Sequence, residues 1–328
     1  MIITRTPFRI TLGGGGTDLP SYYEKHGGFI FSAGLDKYMF IDSNRPVVDD
    51  LIRVKYTKSE TVEHVSELQH EIAREVFRYT GVEKNIEISS LADISAGTGL
   101  GSSSCYAVGL LHAIHTMNRD YVPLAQLAEE DFHIEANILK RPIGKQDPYM
   151  AAFGGLTVLD IAKDGDVKVR KANVTYEIAD ELNKNILIFY TGKTRSADEI
   201  LREQEAGARE GKVSVVDSMH YIKELGYRIL DAVESGNIDD VGRRFHEHWQ
   251  HKKKISSKMS SPHFDRIYDA ALRNGALGGK ISGAGGGGFF TFYEPAMHKE
   301  FREGMREYGL REMRYRFDFE GTKVLTDF

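Results

Sequence analysis

The chain has one cysteine, Cys105, in 328 residues. An internal disulfide is therefore excluded, and a reducing compartment is the natural expectation. Long apolar runs are also missing. Nothing approaches the ~18–20 apolar residues of a membrane span, and MIITRTPFRITL at the start shows no apolar stretch of a secretory leader. Positive charge is not in excess: 43 Lys and Arg face 48 Asp and Glu, for a net charge of -5. That balance argues against a broad nucleic-acid footprint but leaves room for a small basic pocket that takes an anionic metabolite. Only eight prolines occur, with no Pro- or Ser-rich tract and no internal repeat to mark a tether. The expectation is a soluble, cytoplasmic globular protein with no membrane or nucleic-acid partner. At 41% hydrophobic and 28% charged residues, it is long enough for two ordinary domains or one large one.

Glycine is what the chain has in quantity. The 33 glycines make about 10% of the residues against a usual ~7%, and they cluster in LGGGGTD (12–18), AGTGLGSSS (96–104) and GGKISGAGGGGFF (278–290). Three such loops, far apart in sequence, suggest backbone segments converging on one ligand. IITRTPFRITL reads as a strand entering the first loop, 27–42 as further strand, and NIEISS (85–90) as an alternating strand. Val65, Leu68, Ile72 and Val76 predict a helix over 65–79, with Gly81 at its end. Ala107, Leu110, Leu111 and Ile114 predict a helix opening near Ser103, so the second loop feeds a helix N-terminus, where free N–H groups favour an anion. Further helices are expected over 123–139, with Pro123 in the first turn, and over 213–234 and 237–257. NILIFY (185–190) reads as a buried strand. A boundary near 180 divides the chain into 1–180 and 181–328, two domains that share an interface.

Two familiar phosphate loops can be set aside. A P-loop needs a lysine after its last glycine, but Gly101 is followed by Ser102. The dinucleotide fingerprint needs G-x-G-x-x-G at the first strand–helix turn, whereas Gly97 and Gly99 begin G-T-G-L-G-S and G-L-G-S-S-S some 95 residues in. What is left is a glycine loop followed by hydroxyls at a helix start. It suits a phosphate or a magnesium ion, or else it is a serine-capped helix after a flexible turn.

GGGGTD, LGSSS and GAGGGG, in this order, resemble the three signature motifs of the GHMP small-molecule kinases. The likeness takes in residues 7–20, 96–113, 135–155 and 277–293. Within that superfamily, TPFRITLGGGGTDLPSYYEKHGG, GKQDPYMAAFGG, FYTGKTRSADEIL and GALGGKISGAGGGGF are most similar to the branch of heptose 7-phosphate kinases and fucokinase-like sugar kinases. Galactokinases carry an acidic residue and a histidine where this chain has Gly14 and Gly15, which argues against galactose.

The resemblance implies a two-domain α+β fold, with an N-terminal domain like ribosomal S5 domain 2 and a C-terminal domain of ferredoxin-like type. It implies ATP and Mg2+ as cofactors and a sugar phosphate as the small-molecule partner. The expected reaction phosphorylates the anomeric hydroxyl of D-glycero-D-manno-heptose 7-phosphate to the 1,7-bisphosphate, for nucleotide-activated heptose synthesis. A homo-oligomer is compatible with all of this. Asp147 takes the place of the catalytic aspartate that accepts the sugar proton, and Arg9 resembles the basic residue beside it. Gly97, Gly99, Leu100, Gly101, Ser102, Ser103 and Ser104 would wrap the ATP phosphates, braced by Gly285 and Gly286 of the third loop. Ser103 and Glu135 match the metal ligands, with Ser102 interchangeable with Ser103. Asp18 matches the aspartate that binds acceptor hydroxyls, with Thr17, Gly15, Gly16 and Tyr23 as neighbours. Lys193 and Arg195 are nominated for a second phosphate.

Each assignment competes with a plainer one. Asp147 before Pro148 suits a turn, Arg9 a strand edge, Glu135 a partly solvated helix edge, and Lys193 with Arg195 a solvated loop. Cys105 reads as a small buried residue rather than an activated thiol. His246, His248 and His251 do not share a helix face, so they make a poor zinc site. Lys252–Lys254 is most simply a solvated helix end. Two alternative functions stay open: a fucokinase-like or other neutral-sugar 1-kinase, and a sugar- or nucleotide-sensing protein that has lost catalysis.

Overall fold

The computed structural model describes residues 1–193, 197–256 and 258–327. Strands β1 (Ile2–Gly13), β2 (Gly28–Asn44), β3 (Ile52–Lys55), β4 (Ser59–Val62), β5 (Ile86–Ala92), β6 (Leu156–Ile161) and β7 (Val167–Lys171) build most of a first sheet. Strands β8 (Ile186–Tyr190), β9 (Gly278–Ile281), β10 (Phe289–Tyr293) and β11 (Arg311–Met313) form a second, antiparallel sheet in the order β11-β8-β10-β9. The last strand, β12 (Lys323–Asp327), returns to pair with β1. Chain order and sheet membership therefore part company after residue 313.

The first sheet runs β12-β1-β2-β5-β3-β4, and it forks because β2 is 17 residues long. Residues 28–33 of β2 pair with β6, while residues 39–44 pair with β5. Helices α1 (Pro20–His26), α2 (Glu71–Thr80), α3 (Ser102–Met117), α4 (Leu124–Phe132), α5 (Gln146–Phe153) and α6 (Tyr176–Asn185) belong to this half of the chain. Helices α7 (Ala197–Arg209), α8 (Val213–Glu234), α9 (Asp239–Lys252), α10 (Pro262–Arg273) and α11 (His298–Glu307) follow. The architecture is the mixed α+β one expected from the sequence.

Two details of this frame position the site. Pro7 lies inside β1 and has no N–H to give a ladder, and the β1–β2 register slips between Pro7 and Arg9. Such an irregularity re-aims a side chain. Arg9 sends its backbone N–H to the carbonyl of Leu100 (3.2 Å), out of the sheet and into the second glycine loop. At the end of β1 the chain meets α8 backbone to backbone: a Cβ on Gly13 would lie 2.7 Å from the Cα of Gly226.

Three helices differ from expectation. The 65–79 segment is a short 3-10 turn, Val65–Glu67, followed by α2, because Leu68 is extended and His70 caps the new helix by accepting from the N–H of Ala73 (3.2 Å). Pro123 stands at the N-cap of α4 rather than in its first turn, and the helix passes into a π-helical turn, His133–Ile138. The last expected helix ends at Lys252 rather than 257. The second sheet carries a largely aromatic core, with Phe189, Phe290, Phe292, Phe301 and Trp249 fully buried together.

Candidate active site

The centre of the site is an ion pair in a cavity lined by both halves of the chain. Arg9 Nη2 lies 2.6 Å from Asp147 Oδ1, and its Nε donates to the same oxygen at 2.8 Å. Arg9 is 4% exposed, and its Nη1 donates to the carbonyl of Gly99 at 2.8 Å. The guanidinium thus ties the second glycine loop to the first turn of α5, where Asp147 sits with its carboxylate partly open to the cavity. The plainer readings, a surface arginine and a turn aspartate, do not describe this pair.

Asp18 is the second carboxylate of the cavity and is 6% exposed. Its oxygens accept from the N–H of Gly16 (3.1 Å) and the N–H of Gln146 (3.0 Å), fastening the first loop to the start of α5. Burial pushes its pKa above the usual carboxylate range, and the charge of Asp147 adds to the rise against these hydrogen bonds. Glycine at 144 is required here, because a Cβ would fall 2.0 Å from Asp18 Oδ2.

The second loop leads from Gly97 and Gly99 to Gly101, which caps α3 in the left-handed region at φ 87°. Ser102, Ser103 and Ser104 then form the first turn of α3, whose N–H groups have no partner within the helix. The Leu100 side chain is buried, and its carbonyl is taken by Arg9. The third loop presses on the second, since a Cβ on Gly283 would lie 2.6 Å from the carbonyl of Gly99. Gly285 and Gly286 stand farther along, against the backbone of Met259, and the N–H of Gly286 donates to its carbonyl at 3.0 Å.

Glu135 lies on the π-helical turn and is fully buried. It accepts from Ser104 Oγ at 3.1 Å and from Arg141 Nη1 at 3.0 Å. Burial raises its pKa, opposed by Arg141 and by the hydroxyls of Ser104 and Ser103. One helical turn earlier, Asp131 is fully buried beside Glu135 and the Ser104 hydroxyl, and burial pushes its pKa well up, with the Glu135 charge adding to the rise. Two buried carboxylates beside serine hydroxyls at a helix start are the hard oxygen donors that suit Mg2+. Among the described residues, no three His, Cys, Asp or Glu side chains gather to hold a metal. A cation at Ser103 and Glu135 would therefore draw its other ligands from phosphate and water.

Several nominated residues stand elsewhere. Thr17 Oγ1 donates to the carbonyls of Gly14 (2.8 Å) and Phe29 (2.9 Å), so its hydroxyl staples the first loop to β2. Tyr23 is buried in the core of the first half. Neither lines the cavity, whereas Gly15 and Gly16 do. Gly13 and Gly14 serve packing, against Gly226 and Phe29. Lys193 places its ammonium 5.8 Å from the Phe264 ring centre, outside the cavity. Arg195 lies outside the described residues. Cys105 is buried, with its thiol directed to the carbonyl of Pro7.

Three basic residues that the sequence reading did not assign to the site line the cavity: His248 and Lys252 from α9, weighed as a zinc candidate and a solvated helix end, and Lys280 from β9. Lys252, taken as part of a solvated helix end, is 8% exposed. The signal was present. Val241, Phe245, His248 and Lys252 follow the spacing of a buried helix stripe, so the apolar face of α9 runs straight into a histidine and a lysine. His246 instead bonds Tyr268 (2.9 Å), and His251 stacks on Tyr221.

Comparison with known proteins identifies the family. The GHMP kinases N terminal domain matches residues 65–155, and the GHMP kinases C terminal domain matches residues 229–309. The chain belongs to the GHMP kinases. As a GHMP kinase it is an ATP-dependent phosphotransferase, and its small-molecule substrates include ATP. It is 28% identical to a D-glycero-alpha-D-manno-heptose 7-phosphate kinase of Campylobacter jejuni, over 98% of this chain and 97% of that one. A galactokinase of Pyrococcus furiosus is 24% identical over 88% of this chain and 87% of its own. The fold is shared with the crystal structure of a D-glycero-D-manno-heptose 1-phosphate kinase from Bacteroides thetaiotaomicron, with a TM-score of 0.83, 23% identity and full coverage of both chains. Among the described residues, no helix of this GHMP kinase is long and apolar enough to cross a membrane.

Proposed function

We propose that this GHMP kinase phosphorylates the anomeric hydroxyl of D-glycero-D-manno-heptose 7-phosphate, giving the 1,7-bisphosphate used in nucleotide-activated heptose synthesis. A sugar is the acceptor class that the heptose kinase relatives support. The Arg9–Asp147 pair carries the assignment, because it sets a carboxylate at the meeting point of the nucleotide loop and the cavity.

Phosphoryl transfer is mostly positioning and charge stabilisation. Asp147 accepts the proton of the sugar hydroxyl as the new O–P bond forms and the bond between the γ-phosphorus and the β–γ bridging oxygen breaks, releasing ADP. Arg9 fixes the orientation of Asp147 and offers positive charge to the transferring group. Asp18 holds the first loop against α5 and faces the acceptor. The N–H groups at the start of α3 receive phosphate oxygens. Ser103 and Glu135 would hold Mg2+, which would supply charge neutralisation to the phosphates.

Asp147→Asn tests the base. Turnover should fall about 10²–10⁴-fold, while ATP affinity measured by calorimetry stays within a few-fold of wild type. Undiminished turnover would remove Asp147 from the role.

A further inference from the structure

The cavity holds more positive charge than transfer from ATP to a neutral sugar requires. His248, Lys252 and Lys280 arrive from two elements of the second half, and all three are buried. Lys280 Nζ donates to the carbonyl of Leu12 at 2.6 Å, and Lys252 Nζ donates to the carbonyl of Gly283. Among the described residues, neither lysine has a carboxylate within ion-pair distance. Both ring nitrogens of His248 are buried without a partner. A buried charge without a counter-charge is expensive, and an orphaned polar atom adds a smaller cost of its own. Three together in one cavity call for a group that accepts several hydrogen bonds and carries negative charge.

Packing alone does not explain them. About 110 Å³ of the cavity is open, well beyond the ~10–15 Å³ that a single water needs. Arg9 does not meet the demand from the other side, since it is committed to Asp147 and Gly99. The lysines also raise each other's need for an anion. Burial lowers the pKa of Lys280 well below its usual value, and the charge of Lys252 lowers it further. The three share the cavity with Gly15, Gly16 and Asp18 of the first loop, on the side assigned to the acceptor.

We propose that His248, Lys252 and Lys280 form a subsite for a phosphate group that the acceptor sugar already carries. This deepens the sugar-kinase assignment and rests on it. It replaces Lys193 and Arg195 as the cationic pocket. Two ammonium groups and one imidazole N–H match the oxygens of a phosphate monoester, and a neutral sugar would leave both ammonium charges without a counter-charge.

The test compares D-glycero-D-manno-heptose 7-phosphate with the same heptose lacking its phosphate, at saturating ATP. Wild type should prefer the phosphate ester. In Lys252→Met and Lys280→Met, the ratio of the two kcat/KM values should fall about 10- to 100-fold each, through KM for the ester and without a matching rise in KM for ATP. Inorganic phosphate should inhibit competitively against the sugar phosphate. An unchanged ratio in both variants, or losses confined to KM for ATP, would overturn the subsite. Circular dichroism establishes folding, and should one methionine variant fail to fold, the other variant and Lys280→Arg carry the comparison. If wild type turned over no sugar at all, the sugar-kinase proposal would fail separately. Calorimetric binding of inorganic phosphate to wild type, and its loss in Lys252→Met, would still decide the subsite.

Discussion

At the scale of single residues, the site is governed by which charges are neutralised inside the protein and which wait for a ligand. Arg9 and Asp147 satisfy each other, whereas Lys252 does not find an acid at contact distance. Burial lowers the Lys252 pKa from 10.5 to about 8. The groups that face it are Arg9 from β1, Asp18 from the first loop, Lys280 from β9 and His248 one turn back on α9. Two opposite pH slopes follow. Between about 8 and 10.5 the unfolded chain holds a proton that the folded chain has lost, so the Lys252 contribution to stability rises with pH in that window. Binding of an anion needs that proton, so KM for the sugar phosphate should rise as pH passes about 8. In Lys252→Arg, whose guanidinium stays charged, the rise attributable to this residue should be absent. Parallel KM and unfolding measurements from pH 7 to 10 check both slopes.

At the scale of elements, small local irregularities aim the chemistry. Pro7 interrupts the ladder, and the register slip after it sends Arg9 toward Leu100 and Gly99. The π-helical turn places Glu135 against Ser104. Helix α8 comes close enough to the first loop for backbones to touch, because Gly226 faces Gly13 and Gly14. A Cβ at Gly226 would lie 2.8 Å from Phe29 Cδ1 and 2.9 Å from the backbone nitrogen of Gly14. Gly226→Val should therefore destabilise the protein by about 1–3 kcal/mol through overpacking, seen in denaturant unfolding. It should also raise KM for the sugar, since the loop bearing Gly15, Gly16 and Asp18 must move.

At the scale of the molecule, the site exists only because both halves of the chain line one cavity. The first half brings Arg9, Asp18, Asp147 and the second glycine loop, and the second brings α9, β9 and the third glycine loop. The two glycine loops pack backbone on backbone at Gly99 and Gly283, and again where a Cβ on Gly288 would meet the carbonyl of Thr98 at 2.1 Å. Position 283 also has φ 63°, which disfavours any side chain. Gly283→Ala should wedge the loops apart and raise KM for ATP more than KM for the sugar, with steady-state kinetics on both substrates as the readout. Equal effects on both would mean that the contact does not shape the nucleotide side in particular.

The family, the α+β class and the helix after AGTGLGSSS were legible in the sequence, which also singled out Arg9, Asp18 and Asp147, three residues that the fold brings to one cavity. These signals are local. Helical spacing and a glycine run before serines are written within ten or twenty residues, and the family needed only the order of several such short motifs. Tertiary structure alone decided what each glycine and hydroxyl is for. GGGGTD looks uniform in the sequence, yet Gly13 and Gly14 accommodate Gly226 and Phe29, while Gly15 and Gly16 face the cavity and Thr17 is spent on backbone carbonyls. The same holds for the basic residues. Lys252 sits in a run of three lysines and Lys280 between a glycine and an isoleucine, and nothing local joins residues 28 positions apart. Their burial is the sum of contacts from α9, β9 and the first loop, so only the assembled fold could bring them into the same cavity as Asp18 and Asp147.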